Sequence, residues 1–156
     1  MTPATLDHDG IAALIPHRGP MCLLERMTSW SASSIACAAV NHRDPEHPLR
    51  SASGLLASAT IEYAAQAMAL HGALCGAAQG QLAGPGVLAS ARDVRLACWR
   101  LDDLPHAEPD ELVVVAERQA ADAARILYSF NVRHGGRDLA SGRAAVVLDA
   151  TLASPA

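Results

Sequence analysis

Hydrophobic positions follow two patterns along this chain. From Gly54 to Ala78 they run almost unbroken: Gly54-Leu55-Leu56-Ala57-Ser58-Ala59-Thr60-Ile61-Glu62-Tyr63-Ala64-Ala65-Gln66-Ala67-Met68-Ala69-Leu70-His71-Gly72, then rich in alanine. Alanine, leucine and methionine are strong helix formers, so the stretch predicts one long helix. It is apolar nearly all round, the mark of a helix buried on every side. Downstream the pattern turns to alternation, which predicts strands. Val87 to Trp99 is the first, with Val94, Leu96 and Cys98 on one side and Arg95, Ala97 and Trp99 on the other. Leu112 to Gln119 follows, then Ile126, Tyr128, Phe130 and Val132 in strict period two, then Leu139 to Asp149. Gly135-Gly136 predicts a hairpin turn, Ala121 to Ala123 a tight turn, and Leu101 to Asp110, with two prolines, a connection. Ahead of the helix, Ile11 to Ile15 reads as one helical turn ended by Pro16. The apolar run after Pro20 reads as a first strand. Ser34 to Val40 reads as a second, its small side chains suited to close approach of a helix. Gly76 to Gly86 is a loop, and Ala150 to Ala156 a frayed tail.

These elements amount to an α+β domain over residues 1–150, with about five or six antiparallel strands and one long apolar helix to cover them. A sheet wrapped round a single buried helix is the hotdog arrangement. At 156 residues the chain is long enough for a core without metal or disulfide staples. Its net charge of -4 argues against a nucleic-acid binder. All twelve basic residues are arginine, which excludes Schiff-base lysine chemistry and a phosphate-binding P-loop. The N-terminus lacks the basic start and apolar run of a signal peptide. Glu62, Gln66 and His71 interrupt the central helix too often for a membrane span. A cytoplasmic protein is expected. Cys22, Cys37, Cys75 and Cys98 have no metal-ligand spacing and read as reduced, mostly buried thiols.

Glu62 is the residue that stands out chemically. A carboxylate in apolar surroundings must be paired, neutralised or given a task, and burial raises its pKa, which suits a general acid. The other reading is a half-exposed glutamate favoured by the helix dipole. Gln66, four residues on, shares its face and can hold it by hydrogen bond. His71 and Cys75 are also four apart, and packing is the expected role of both. Asn41 to Ser53 holds His42, Asp44, Glu46, His47 and Arg50. No helical or hairpin spacing orients these as metal ligands; a solvated loop is expected, leading straight into the helix. His17 and Arg18, set between two prolines, are expected to be structural, bonded to nearby carbonyls.

Pro16-His17-Arg18-x-Pro20-x-x-Leu23-Leu24-x-Arg26 resembles the opening motif of the 3-hydroxyacyl-(acyl carrier protein) dehydratases of fatty acid synthesis. Ile61-Glu62-Tyr63-Ala64-Ala65-Gln66 resembles their central-helix motif, in which the glutamate is catalytic. Pro109-Asp110-Glu111-Leu112 resembles their Pro-Gly-Asp-x-Leu lead into a later strand. Order and spacing agree over most of the chain. The subgroup that resembles it in the Gly-Leu-x-Ala lead into the helix is the dehydratase-like proteins of aryl polyene lipid gene clusters. One departure stands out. The family carries Gly-His-Phe-Pro-Gly-x-Pro before the helix, with the histidine as base, whereas this chain has Glu46-His47-Pro48-Leu49-Arg50, with the histidine one residue farther from the glutamate.

The resemblance implies loss of water from a 3-hydroxyacyl thioester on acyl carrier protein, or on coenzyme A, to give a trans-2-enoyl product. His47 is the implied base, with His42 its alternative, and Glu62 the implied acid. Gly54 and Leu55, at the helix start, and Gln66 are implied substrate-binding residues, through backbone N–H groups that stabilise the thioester oxygen and through the side-chain amide. No cofactor and no metal are expected. The resemblance implies a dimer, either homodimer or hotdog heterodimer. The acyl chain is expected to lie in an aliphatic tunnel beside the helix, since the chain has only five aromatic residues. Arg92, Arg95 and Arg100 are candidates for docking an acidic carrier. Thioester hydrolysis, and a non-catalytic acyl-binding subunit partnered by an active chain, are the competing readings.

Overall fold

The computed structural model describes residues 2–80 and 86–148. Its strands are β1 (Arg26–Trp30), β2 (Ser34–Ala39), β3 (Val87–Leu96), β4 (Leu112–Ala121), β5 (Arg125–His134) and β6 (Arg137–Val147); its helices are α1 (His8–Ala12) and α2 (Thr60–Ala78). The strands form one antiparallel sheet in the order β1-β2-β4-β5-β6-β3. Helix α2 packs across β2, β4 and β5, which gives the expected hotdog arrangement.

The alternation read from the sequence sets the core. Ile126, Tyr128, Phe130 and Val132 of β5 are all buried, as are their neighbours Leu112, Val114 and Ala116 on β4. Facing them, Tyr63, Ala64, Ala67, Leu70 and Leu74 of α2 are buried. Each large apolar side chain among these contributes about 1.5–3 kcal/mol by leaving water. Alanines on both partners, Ala39 and Ala116 in the sheet and Ala64 and Ala67 in the helix, are fully buried and let backbone approach backbone. Gly135 and Gly136 join β5 to β6 with φ of 55° and 77°. Both central residues of this two-residue turn therefore need the left-handed region that glycine supplies.

Three boundaries differ from the expectation. The helix begins at Thr60 rather than Gly54, after a 3-10 turn at Ala57–Ala59. The stretch ahead of that turn stays out of the helix because it pairs with the segment after β3: Leu101 N–H donates to Leu55 O at 2.8 Å, and Ala57 N–H to Trp99 O at 2.9 Å. These tertiary bonds outweigh local helix preference. The first strand starts at Arg26, not in the apolar run before it. That run follows a short 3-10 turn at Gly19–Met21, and its backbone is bonded by a side chain of α2 instead of a neighbouring strand. Strand β3 ends at Leu96, and two register irregularities break its alternation, one spanning Asp93 with φ of 53°. The expected tail, residues 150–156, lies outside the described residues. Among the described residues no helix is long and apolar enough to cross a membrane.

Candidate active site

Glu62 sits in the first turn of α2, where the unpaired N–H groups favour an acidic side chain. Its side chain is about one-third exposed, so of the two readings open from sequence the structure gives the partly exposed one. Two groups hold it. Gln66 Nε2 donates to Glu62 Oε1 at 3.2 Å, and His17 Nε2 lies 3.2 Å from the same oxygen. Gln66 is completely buried and is itself fixed from the loop below: its Oε1 accepts from Leu23 N–H at 2.8 Å, and its Nε2 donates to Met21 O at 2.7 Å. The amide thus ties the Pro16–Leu23 loop to the helix and delivers His17 to the carboxylate.

The structure thus places His17 against Glu62, where bonds to nearby carbonyls were expected. Arg18 makes such a bond and donates to Ala12 O at 3.1 Å. The signal for His17 was present in the Pro-His-Arg motif, but nothing in the local sequence tells that this loop folds back onto the helix. Glu62 also borders a groove of about 450 Å³ lined by Leu49, Ser51, Leu56, Ser58 and Ile61.

His47 is placed elsewhere. It is buried, and its Nδ1 accepts from Leu49 N–H at 3.1 Å, which puts the imidazole proton on Nε2. That nitrogen lies 2.8 Å from the Tyr63 hydroxyl, which in turn donates to Asn41 Oδ1 at 2.6 Å. Both ring nitrogens are used, and burial pushes the imidazole pKa down. Within this chain the structure brings His17, and not His47, to Glu62.

Gly54 and Leu55 also have their backbone donors engaged. Gly54 N–H donates to Ser51 O at 3.0 Å and Leu55 N–H to Asp102 Oδ1 at 3.1 Å. Gly54 has φ of +97°, and a Cβ there would lie 2.6 Å from Arg100 Nε. It is a glycine so that the Arg100–Asp102 pair can pack against the chain just before the helix. Asp102 also takes Arg50 at 3.1 Å, and the Arg100 guanidinium holds its carboxyl well below the usual range. Arg100 is thus committed to Asp102, whereas Arg92 and Arg95 lie exposed on β3.

His42 joins a different cluster. Its Nε2 lies 3.3 Å from Asp110 Oδ1, and His134 Nε2 lies 2.7 Å from the same oxygen. Arg43 bonds both Asp110 oxygens, at 2.7 and 3.0 Å, and with His134 keeps that carboxyl strongly acidic. With the carboxylate already neutralised by arginine, the group works as a clamp joining the loop after β2 to the end of β5. His71 is saturated in the same way, with Nδ1 2.8 Å from the Tyr128 hydroxyl and Nε2 2.8 Å from Ser31 O. This leaves it no lone pair to activate Cys75, and packing remains the role of that pair.

Fold and site together define a hotdog protein that holds a carboxylate and an imidazole against each other at the start of its central helix. A family model described as ApeP-like, ApeP dehydratase, matches residues 10–154, and the chain belongs to that family. It is accordingly a hydro-lyase, a dehydratase of the aryl polyene type that the sequence resemblance implied. Among solved structures the chain is similar to the dehydratase heterocomplex ApeI:P from Xenorhabdus doucetiae, at 21% identity over 89% of this chain and 90% of that one, with a TM-score of 0.77. It shares the fold of a hypothetical thioesterase with coenzyme A from Streptococcus pneumoniae, at 10% identity over 79% and 84% of the two chains and a TM-score of 0.54. A mutant thioesterase from Pseudomonas aeruginosa is similar at 13% identity over 78% of each chain, with a TM-score of 0.56. No curated protein matches the sequence.

Proposed function

We propose that the protein removes water from a 3-hydroxyacyl thioester carried on acyl carrier protein, through a pair formed by Glu62 and His17. The observation that carries this reading is the contact between their side chains, 3.2 Å apart at the edge of a groove and braced by a buried amide. Elimination needs one group to take the proton from C2 and another to protonate the hydroxyl leaving C3. His17 Nε2 is cast as the base and Glu62 as the acid. After one turnover the imidazole holds the proton taken from C2 and the carboxylate has lost its own. The direct contact returns that proton and resets the pair. The thioester oxygen gains charge as C2 is deprotonated, and the N–H of Ser58, on the groove wall in the 3-10 turn before α2, is cast as its donor. His47 is cast as a positioning residue that fixes Tyr63, and with it the first turn of α2.

The partner in this reading is a second hotdog chain, as in the ApeI:P heterocomplex. Among the described residues strand β3 has only β6 beside it; it runs for ten residues and is followed by Trp99 at 90% exposure. Long open edges of this kind are normally covered. The test is enoyl formation from a 3-hydroxyacyl-carrier thioester, followed by absorbance and mass, for the protein alone and with any hotdog chain that co-purifies with it. Loss of product in both Glu62→Gln and His17→Ala, with His47→Ala retaining activity, is the expected result. Loss in Glu62→Gln and His47→Ala, with His17→Ala unaffected, would return the role of base to His47. Full activity of Glu62→Gln in the complex would make this chain a non-catalytic subunit.

A further inference from the structure

A cavity of about 660 Å³ lies on the face of the sheet turned away from α2. That is within the range of pockets that enclose a small organic ligand. Strand alternation explains its lining. Ile126, Tyr128 and Phe130 of β5 are buried toward the helix, so Leu127 and Ser129 point outward. Register then sets Arg143 of β6 beside Ser129, and Arg92 of β3 beside Arg143, on the same outer face. Arg125, four residues before Ser129 on β5, lines the other end of the cavity, about 13 Å along the strand. Leu127 and Ala145, opposite each other in register, lie between the two ends.

The cavity gathers positive charge in a chain whose net charge is -4. Like charges directly opposite on neighbouring strands repel, and Arg92 and Arg143 are such a pair. Elsewhere the fold matches arginine with carboxylate: Arg26 with Glu111, Arg43 with Asp110, Arg50 and Arg100 with Asp102, and Arg133 with Asp138. Here, among the described residues, no carboxylate lines the cavity. Arg143 reaches Asp93 only at 3.7 Å, with both side chains exposed. Gln119 Nε2 donates to Ser129 Oγ at 2.8 Å, which leaves the Ser129 hydroxyl its own hydrogen to give. The site thus offers donors and fixed positive charge, with no matching acceptor in its wall.

We propose that this cavity binds a small organic phosphate, its phosphate chain held between Arg92 and Arg143 and its uncharged body lying over Leu127 toward Arg125. Guanidinium forks pair with phosphate oxygens two at a time, and an anion between the two arginines turns their repulsion into a shared attraction. At the far end the Arg125 guanidinium can stack on a ring. The concave shape suits a small molecule better than the flat surface of a macromolecule. The sheet separates this site from α2 and Glu62, so it binds its ligand whether or not the dehydratase roles hold.

The test is isothermal titration calorimetry of the full-length protein with inorganic triphosphate, ATP and citrate. Wild type should bind ATP more tightly than triphosphate, and citrate least. Arg92→Gln combined with Arg143→Gln should weaken both phosphates about tenfold or more. Arg125→Gln should weaken ATP and leave triphosphate little changed. In buffer free of multivalent anions the double variant should melt about 1–3 °C above wild type, since the cross-strand repulsion is gone. Equal binding of triphosphate by wild type and the folded double variant would overturn the proposal, as would no binding by wild type at millimolar concentration. Citrate bound as tightly as triphosphate would give the cavity to carboxylates, such as an acidic protein segment, and ATP no tighter than triphosphate would remove the organic body. Either result refutes an organic phosphate as the ligand.

Discussion

Gln66 is the residue through which the fold and the site depend on each other, and replacing it by leucine tests that link. The leucine has similar volume and suits a buried helix, so the cost comes from what the amide leaves behind. The Leu23 N–H loses a 2.8 Å bond in a fully buried position, and the Met21 carbonyl loses a 2.7 Å bond in a partly buried one. An orphaned buried polar group costs about 1–3 kcal/mol, with the partly wetted carbonyl at the low end. The sum is about 2–4 kcal/mol. For a domain of this size that is a fall in melting temperature of about 4–16 °C. Activity should drop further than stability, because the loop that carries His17 is no longer fastened and Glu62 loses its 3.2 Å donor. Gln66→Glu separates the two effects. It keeps an acceptor for Leu23, so less stability is lost, while a second carboxylate is set beside Glu62. Thermal melts and enoyl formation measured on the same samples are the assay. A Gln66→Leu protein that melts within about 1 °C of wild type and turns over normally would refute the reasoning.

Three other perturbations follow from the same geometry. Gly54→Ala, at φ of +97° and facing Arg100 Nε at 2.6 Å, should destabilise the protein by about 1–3 kcal/mol, measured by urea unfolding. Tyr63→Phe removes the hydroxyl between His47 and Asn41 and should cost about 1–3 kcal/mol while leaving enoyl formation measurable, as befits a positioning network. Stability should also fall with acid in two stages. His42, His47 and His71 are held below the ordinary imidazole value of 6.5, in each case chiefly by burial, so the unfolded chain binds more protons than the folded one. Their contribution is complete above about pH 6.5 and is lost as the pH falls. Asp102 and Asp110, held below their ordinary value of 3.8 chiefly by Arg100 and Arg43, add a second loss below it. Urea midpoints that stay flat from about pH 7.5 to 5 would show that these histidines take up protons in the folded state.

Much of the architecture could be read from periodicity. The continuous apolar run gave α2, strict alternation gave β5, and paired glycines gave the β5–β6 turn, because each is a local consequence of burial or of backbone sterics. What could not be read depends on distant partners. Residues 54–57 have strong helix formers but pair with residues 99–101, forty-odd positions away. Cys22 to Leu24 look like a strand, yet their loop is bonded by a helix side chain. The site was legible to the same extent. Glu62 and Gln66 share one helix face, so their contact follows from spacing alone. His17 reaches Glu62 only through a loop that folds back across 45 residues of sequence, and no local pattern encodes that return. Nor does the sequence reveal that His47, at the expected place in the chain, turns inward to Tyr63.

The most direct test of the dehydratase chemistry is to run it backwards in water enriched in oxygen-18, with a trans-2-enoyl thioester and the protein with its co-purifying partner. If Glu62 and His17 add and remove water across C2 and C3, the label should appear on C3 of an intact 3-hydroxyacyl thioester and disappear in Glu62→Gln. Label in a free carboxylate, with release of thiol and none at C3, would contradict the account and make the protein a thioesterase.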